Sequence, residues 1–503
     1  MEEILSKSEN MSTEYCATVV RVGEVKPIEN SDFLGVTMVE GREIVVRKDD
    51  VHEGDVVVYV SNESQINFDF LSFCNEFQDE SLNRNYEEIQ MAVGEMKTNG
   101  ATDEEIREFV SAHRGYFDKH GRVKMKKLRG VYSMGYLINP VRITNWKLLS
   151  WNENQWAEHV GEDFDTIKGE LFVQAYVPKI KEPRVKGKGR AEKRIKRFNR
   201  MIPGQFSFHY DTEQLQRNME RLHPDTSVCI SVKMHGTSFI CGNVKVRNPK
   251  WGGLYARLFN YLPTWLQFTK DEYDTVYSSR KVIKNSDLNP GVTAGFYDVD
   301  IWGEYYPVLK GILPHGMTIY GEIVGYVTGS SITGIQSIGG KVCDYGCKPC
   351  FNKLMIYRVK HVLEDNVIEY NVTDVYNYTV NNLIPALKQL DIQNGTHWAE
   401  RIVPIPILYN GTMKDLYPDV DTENHWHENV LELMKNDARF GMEQDEPLCK
   451  NKVPREGIVL RINDDPIAEA FKLKCLKFLG KEAEDIDKGR TSDIEMQERY
   501  EDV

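Results

Sequence analysis

The stretch "ISVKMHGTSFICG", Ile230–Gly242, decides how this chain is read, because a run patterned as a strand stops on a lysine. Ile230, Val232 and then Phe239 alternate with small or polar residues as a half-buried strand does, and Gly236 breaks the run in two. Lys233 therefore stands at the mouth of a strand–turn–strand unit. A lysine there is either a solvated strand end or an amine held in a cleft near other cations, where it loses its proton more readily and acts as a nucleophile. The local residues leave both open, and the rest of the chain has to choose.

Working outward, 503 residues give room for two or three domains, and 11% aromatic with 28% charged residues fits a globular chain, not a disordered one. No run approaches the roughly 18 apolar residues of a membrane span, and "MEEILSKSEN" lacks the basic start and apolar stretch of a signal peptide. The nine cysteines are odd in number and scattered, which suits free thiols in a reducing compartment. A cytoplasmic monomer with no membrane partner is the expectation. The net charge of -13 argues against nucleic acid only if charge is spread evenly. It is not: Lys179–Arg200 carries eleven Lys or Arg against Glu182 and Glu192. That tract is either a solvated linker, given Pro183, Gly187 and Gly189, or a phosphate-backbone contact.

From Tyr15 to Val60, "ATVVRVGEVKPI", "LGVTMVEGREIVVR" and "GDVVVYV" alternate between turn residues as short strands do, and a small closed or nearly closed barrel buries such strands economically. Between about 66 and 120, "YEEIQMAVGEM" and "TDEEIREFVSAHRGYF" have helical spacing with Thr102 and Asp103 as caps, which predicts a helical insertion. "RVKMKKLRGVYSMGYLINP" returns to strand patterning. A second β-rich unit follows a basic linker at 179–204. It runs from 205 to 503, with a polar, partly helical insertion at about 362–440.

Five pieces of that second unit, in order, resemble the nucleotidyltransferase motifs of the covalent ligase and capping-enzyme superfamily. They are "KMHGTS" from Lys233, "SSRKVIKN" around Arg280, "YGEIVG" around Glu322, "LMIYRV" around Tyr357, and the closing pair "EGIVLR" at Glu456 and "FKLKCLKFL" with Lys472 and Lys474. A lone KxxG says little; the ordered set says much. "VHEGDVVVYV" and "VKMKKLRGVYSMGYL" further resemble the RNA ligase 5 family, which carries an OB-type barrel before the transferase domain. The implied fold is α+β: an N-terminal OB-type β-barrel with a helical insertion (1–178), then a nucleotidyltransferase domain of antiparallel sheets with flanking helices, ATP-grasp-like in layout.

The resemblance implies an ATP-dependent RNA ligase. Lys233 would attack the α-phosphate of ATP to give lysyl-N-AMP, AMP would pass to a 5′-phosphate, and an RNA 3′-OH would attack that end, probable sites of action being a nick or break. Lys472 and Lys474, two apart on a strand, would flank the α-phosphate. Glu456 and Glu322 would serve Mg2+ or Mn2+, and Glu322, in a Gly-flanked turn, would reach the ribose. Arg280 would meet a phosphate, Tyr357 would stack on adenine, and His235 and Gly236 would complete the nucleotide site. One position departs from the pattern: many relatives carry Asp where this chain has His235, and imidazole does not repeat a carboxylate's metal binding. The partners implied are RNA with a 3′-OH and a 5′-phosphate RNA or DNA strand. Lys124, Lys126, Lys127 and Arg129, with Arg122, are the candidate phosphate contacts of the barrel, against the alternative of solvated residues at a strand end.

Other readings remain. A DNA ligase or capping guanylyltransferase shares the transferase motifs, but those families usually place the OB domain last, and only 480–503 follows "FKLKCLKFL". An RNA-binding protein with an inactive transferase domain would be expected to lack the nucleophile or the last lysines, and all are here. Cys343, Cys347 and Cys350 invite a zinc reading, but no fourth ligand lies close in sequence, which favours free thiols.

Overall fold

The computed structural model describes residues 4–8, 11, 14–84, 86–112, 115–177, 200–209, 212–285, 297, 299–364, 366–463, 465 and 469–490. Nearly all of the basic tract at 179–204 falls outside them. The chain divides into two units, Met1–Pro178 and Lys179–Val503.

In the first unit Val56–Ser61 is buried at every residue. It lies between Gly135–Ile138 and Ala17–Arg21 in an antiparallel sheet completed by Asp163–Phe164. Its alternation serves two cores: Val56, Val58 and Val60 pack with Ala17 and Val19, while Tyr59 faces Val39, Ile44 and Val46. That is why the run reads as continuously apolar. Leu34–Val39 and Arg42–Arg47 form a hairpin whose two turn residues, Glu40 and Gly41, both take positive φ (49° and 70°), the backbone a two-residue hairpin needs. The remaining strands are two to three residues long, and among the described residues the pairing forms separate ladders, not a closed ring. Short links such as Met134 N–H to Glu43 O (2.9 Å) and Val45 N–H to Ser133 Oγ (3.1 Å) stand where a continuous ladder would close a barrel.

Helices occupy Phe68–Phe73, Tyr86–Thr98 and Asp103–Ala112. Thr102 caps the last reciprocally: Glu105 N–H donates to its hydroxyl, and Thr102 N–H donates to Glu105 Oε2 at 2.7 Å. Phe70, Leu71, Phe77 and Phe117 join the core of Val58 and Ile138, so only the two longer helices project from it.

The second unit is built on two sheets. One orders Glu213–Gln214, Ala470–Lys474, Gly457–Ile462, Ser227–Lys233 and Ile407–Thr412; the other orders Thr269–Ser278, Thr237–Pro249, Met317–Gly325, Asn352–Val362 and Val367–Glu369. Met234, His235 and Gly236 carry the chain from the first sheet to the second. The stretch at about 362–440 is woven into both: Ile402–Pro404 pairs in parallel with Asn352–Val362, and Ile407–Thr412 pairs with Ser227–Lys233. Trp426, Val430, Leu431 and Met434 of the helix Trp426–Asn436 enter the core behind the first sheet.

Candidate active site

Backbone register brings the site together. Lys233, the last residue of its strand, is paired with Gly457, and Gly457 is paired with Lys474 on the other side. Three adjacent strands thus set two lysines about a glycine, and Glu456 immediately precedes that glycine. Gly457 has φ 152°, and a Cβ there would lie 2.1 Å from Leu473 O. A Cβ on Gly236 would lie 2.3 Å from Ile323 O and 2.8 Å from Glu322 Cγ. The glycines of "KMHG" and "EGIVLR" are therefore the places where neighbouring strands come too close for a side chain.

Lys233 Nζ donates to Glu456 Oε1 at 2.7 Å, Lys474 Nζ lies 3.8 Å from the same oxygen, and His235 Nδ1 lies 3.8 Å from Oε2. Glu456 is only 4% exposed. Burial by itself would push its carboxyl up, but Lys233, His235 and Lys474 outweigh that and hold it below the ordinary carboxylate value. Its Oε2 is buried with no hydrogen-bond partner, so the carboxylate has acceptor capacity to spare on the side facing His235. His235 is held in turn: its N–H donates to Tyr345 Oη at 2.7 Å and its ring sits edge-on to Phe478 at 5.0 Å.

The second sheet supplies the opposite wall of an open cleft of about 770 Å³, lined by residues including Lys233, Ser238, Arg280, Glu322, Tyr357 and Arg461. Glu322 is not in a turn, as its flanking glycines suggested. It sits inside the strand Met317–Gly325, opposite Ser238, because Ile323 and Val324 continue the buried pattern past it. Arg280 is presented by a tight turn after Thr269–Ser278, closed by Ser279 N–H to Val282 O at 3.0 Å. Tyr357 is the residue left over at a β-bulge: Tyr320 pairs with Arg358 and Gly321 with Ile356, so Tyr357 has no opposite number. Bulges of this kind re-aim a side chain. Tyr357 Oη shares a 2.7 Å hydrogen bond with His209 Nε2, and the Arg461 guanidinium lies 5.3 Å from its ring centroid.

The expected residues Lys233, Arg280, Glu322 and Tyr357 thus line one cleft, with His235, Gly236, Glu456 and Lys474 around Lys233. Lys472 is two residues from Lys474 on the same strand and opposite Val459, another lining residue. His209 and Arg461 were not anticipated. Arg461 follows Val459 at strand spacing in "EGIVLR"; nothing in the sequence around His209 marks it.

The basic hairpin of the first unit differs from expectation at Arg122, which is buried and makes two hydrogen bonds to Glu63 (2.8 and 2.7 Å), so it is no phosphate contact. Lys124 pairs with Asp118 at 2.9 Å. Lys126 Nζ lies 3.5 Å from the Tyr116 ring centroid, and desolvation with Lys124 nearby lowers its pKa. Lys127 and Arg129 are exposed, Arg129 at the positive-φ position of the turn. All nine cysteines are free; Cys343 and Cys347 are buried, and burial pushes the Cys347 thiol up to about 11.

A family model described as an OB-fold domain matches residues 16–106. Among curated proteins no sequence matches. Among solved structures the chain is similar to an RNA ligase of Naegleria gruberi. A mutant form with ATP and Mn is 17% identical with a TM-score of 0.47, covering 92% of this chain and 98% of that one. The same ligase with PPi is 17% identical with a TM-score of 0.46, covering 93% and 98%.

Proposed function

We propose that this chain is an ATP-dependent RNA ligase that joins an RNA 3′-OH to a 5′-phosphate through a lysyl-N-AMP intermediate. The observation that carries the reading is the convergence of Lys233, His235 and Lys474 on the buried Glu456, at the edge of a cleft whose far wall offers Arg280, Glu322 and Tyr357.

The chemistry follows from what these groups hold. Lys233 Nζ forms a bond to the α-phosphorus as the bond to the bridging oxygen breaks and pyrophosphate leaves. The attacking amine becomes acidic as its bond to phosphorus forms, and Glu456 Oε1 is the acceptor within 2.7 Å. Lys474, with Lys472 beside it, balances charge developing on the phosphate oxygens. Tyr357, steadied by His209, offers its ring to the base, and Glu322 faces the ribose. AMP then passes to an oxygen of the 5′-phosphate as its bond to nitrogen breaks, which restores the lysine, and the 3′-OH attacks the 5′-phosphorus as AMP leaves, forming the phosphodiester.

The residues fit a divalent cation: Glu456 has a buried oxygen without a hydrogen-bond partner, and Glu322 lines the cleft together with Lys233, which Glu456 contacts. Among the described residues no three His, Cys, Asp or Glu side chains form a metal cage. Such a cation supplies charge neutralisation on the phosphates and favours the neutral amine. On the first unit, the exposed Lys127 and Arg129 are cations that could meet a nucleic-acid backbone.

The test is incubation with ATP labelled at the α-phosphate and either metal, then a denaturing gel and peptide mapping beside Lys233→Ala. Label on Lys233 that is absent from the variant and chases into a nicked duplex with an RNA 3′-OH is the expected result. No label on folded protein free of pre-bound AMP would sink the reading and leave an RNA-binding protein.

A further inference from the structure

At the far end of the strands Thr237–Pro249 and Thr269–Ser278, the chain makes a compact knob that the cleft chemistry does not use. Thr237 is at the cleft, and thirteen strand residues at about 3.3 Å each put the knob roughly 40 Å along the hairpin. It holds the short helix Leu254–Leu258 and the turns Phe259–Tyr261 and Thr264–Leu266. Its large side chains point outward: Trp265 is 74% exposed, Leu254 72%, Tyr261 67% and Trp251 51%. A contiguous sequence segment with this many exposed aromatic and aliphatic side chains calls for something to cover it.

Three observations say what. First, residues 250–268 contain Lys250 and Arg257 and no Asp or Glu, in a chain whose net charge is -13; just beyond them Lys270 is paired with Glu272 at 2.6 Å. Second, the knob satisfies polar backbone groups from within. Tyr255 Oη donates to Leu266 O and accepts from Phe268 N–H, both at 2.7 Å; Gln267 Nε2 donates to Phe259 O (3.0 Å) and Leu262 O (3.1 Å); and Lys250 N–H donates to Phe268 O at 2.9 Å. Segments that enter hydrocarbon have to pair their backbone internally. Third, the exposed set mixes Trp and Tyr with Leu. Aromatic rings with a polar edge suit the boundary of a bilayer, and leucines reach below it, whereas a leucine has no face on which a base can stack.

We infer that the 250–268 knob is a docking element for an anionic lipid bilayer surface, inserting Trp265, Leu254 and Tyr261 while Lys250 meets headgroups. The expectation of no membrane partner came from the lack of a spanning segment, and a surface contact needs none. The inference does not depend on the reading of the cleft.

The experiment is co-sedimentation of the full chain with vesicles of phosphatidylglycerol in phosphatidylcholine, against phosphatidylcholine alone. Binding to the anionic vesicles is expected. It should weaken about ten-fold or more in Trp265→Ala with Leu254→Ser, and about five-fold or more in Lys250→Glu. These side chains are exposed, so far-ultraviolet circular dichroism should be unchanged. No binding to anionic vesicles, or binding indifferent to Trp265 and Leu254, overturns the proposal. So does loss of single-stranded RNA affinity in the Trp265 variant without any vesicle binding, which would assign the knob to nucleic acid.

Discussion

Cations collect in two places with opposite organisation. In the cleft, Lys233, His235 and Lys474 converge on one carboxylate, and the convergence is built into backbone pairing that puts Lys233, Gly457 and Lys474 side by side. In the basic stretch of the first unit the more buried cations have their own local partners: Arg122 has Glu63, Lys124 has Asp118 and Lys126 the Tyr116 ring, while Lys127 and Arg129 are exposed. Convergence leaves a shared field pointing at one spot, whereas separate pairing spends each charge on the fold.

The difference can be broken at its most buried pair. Glu63→Ala removes the carboxylate bonded to the Arg122 guanidinium, which is 2% exposed, and breaking a buried ion pair by removing one partner costs about 3–5 kcal/mol. Urea unfolding of the first unit should shift by that much, with lysyl-AMP formation by the second unit retained. A loss of RNA affinity at unchanged stability would instead make Arg122 a contact.

In the cleft, Glu456→Gln keeps the shape and removes the charge on which Lys233 and Lys474 converge beside His235. Transfer of label to Lys233 should fall about 10²–10³-fold, the range for removing one electrostatic contact to a reacting group. The sign with pH is set by the lowered pKa of Glu456. Its contribution to stability is present above the ordinary value of 4.5 and is lost as pH falls through the depressed folded value. Acid unfolding curves of the parent and the variant should therefore draw together below about pH 4.5. Curves that stay parallel through that range would mean the carboxylate is not held ionised by its neighbours.

How much of this was legible depended on how each residue is placed. Lys233, Gly236, Glu456 and Lys474 were reached through ordered motifs that resemble those of nucleotidyltransferases, and the structure gives a physical reason for the two glycines of those motifs, where neighbouring strands come too close for a side chain. Glu322 was found but set in a turn, since its flanking glycines mimic turn punctuation while the strand runs through. Tyr357 was found by its motif; the bulge that aims it lies in pairing with Tyr320 and Gly321, which no local pattern records. His209 reaches Tyr357 across 148 residues, and Glu63 reaches Arg122 across 59. Such partners are chosen by tertiary packing, so a basic run reads the same whether its charges are spent or free. The barrel was expected closed or nearly so, and strands of two or three residues leave its ladders separate.

The smallest effect belongs to the two exposed hairpin cations, and it sharpens the contrast most finely. Lys127→Ala with Arg129→Ala removes charges that no buried carboxylate claims, so stability should move by less than about 0.5 kcal/mol. If both meet phosphates, RNA affinity should fall by the same factor for every sequence tested, and the slope of log affinity against log salt should drop by about 2. Lys124→Ala, whose amine is paired with Asp118 at 2.9 Å, serves as the internal control, because a charge already committed to the fold has fewer counterions to release. An equal drop in slope for Lys124→Ala and for Lys127→Ala would show that local pairing does not remove a cation from the nucleic-acid field, and the distinction between converging and spent charge would fail on this surface.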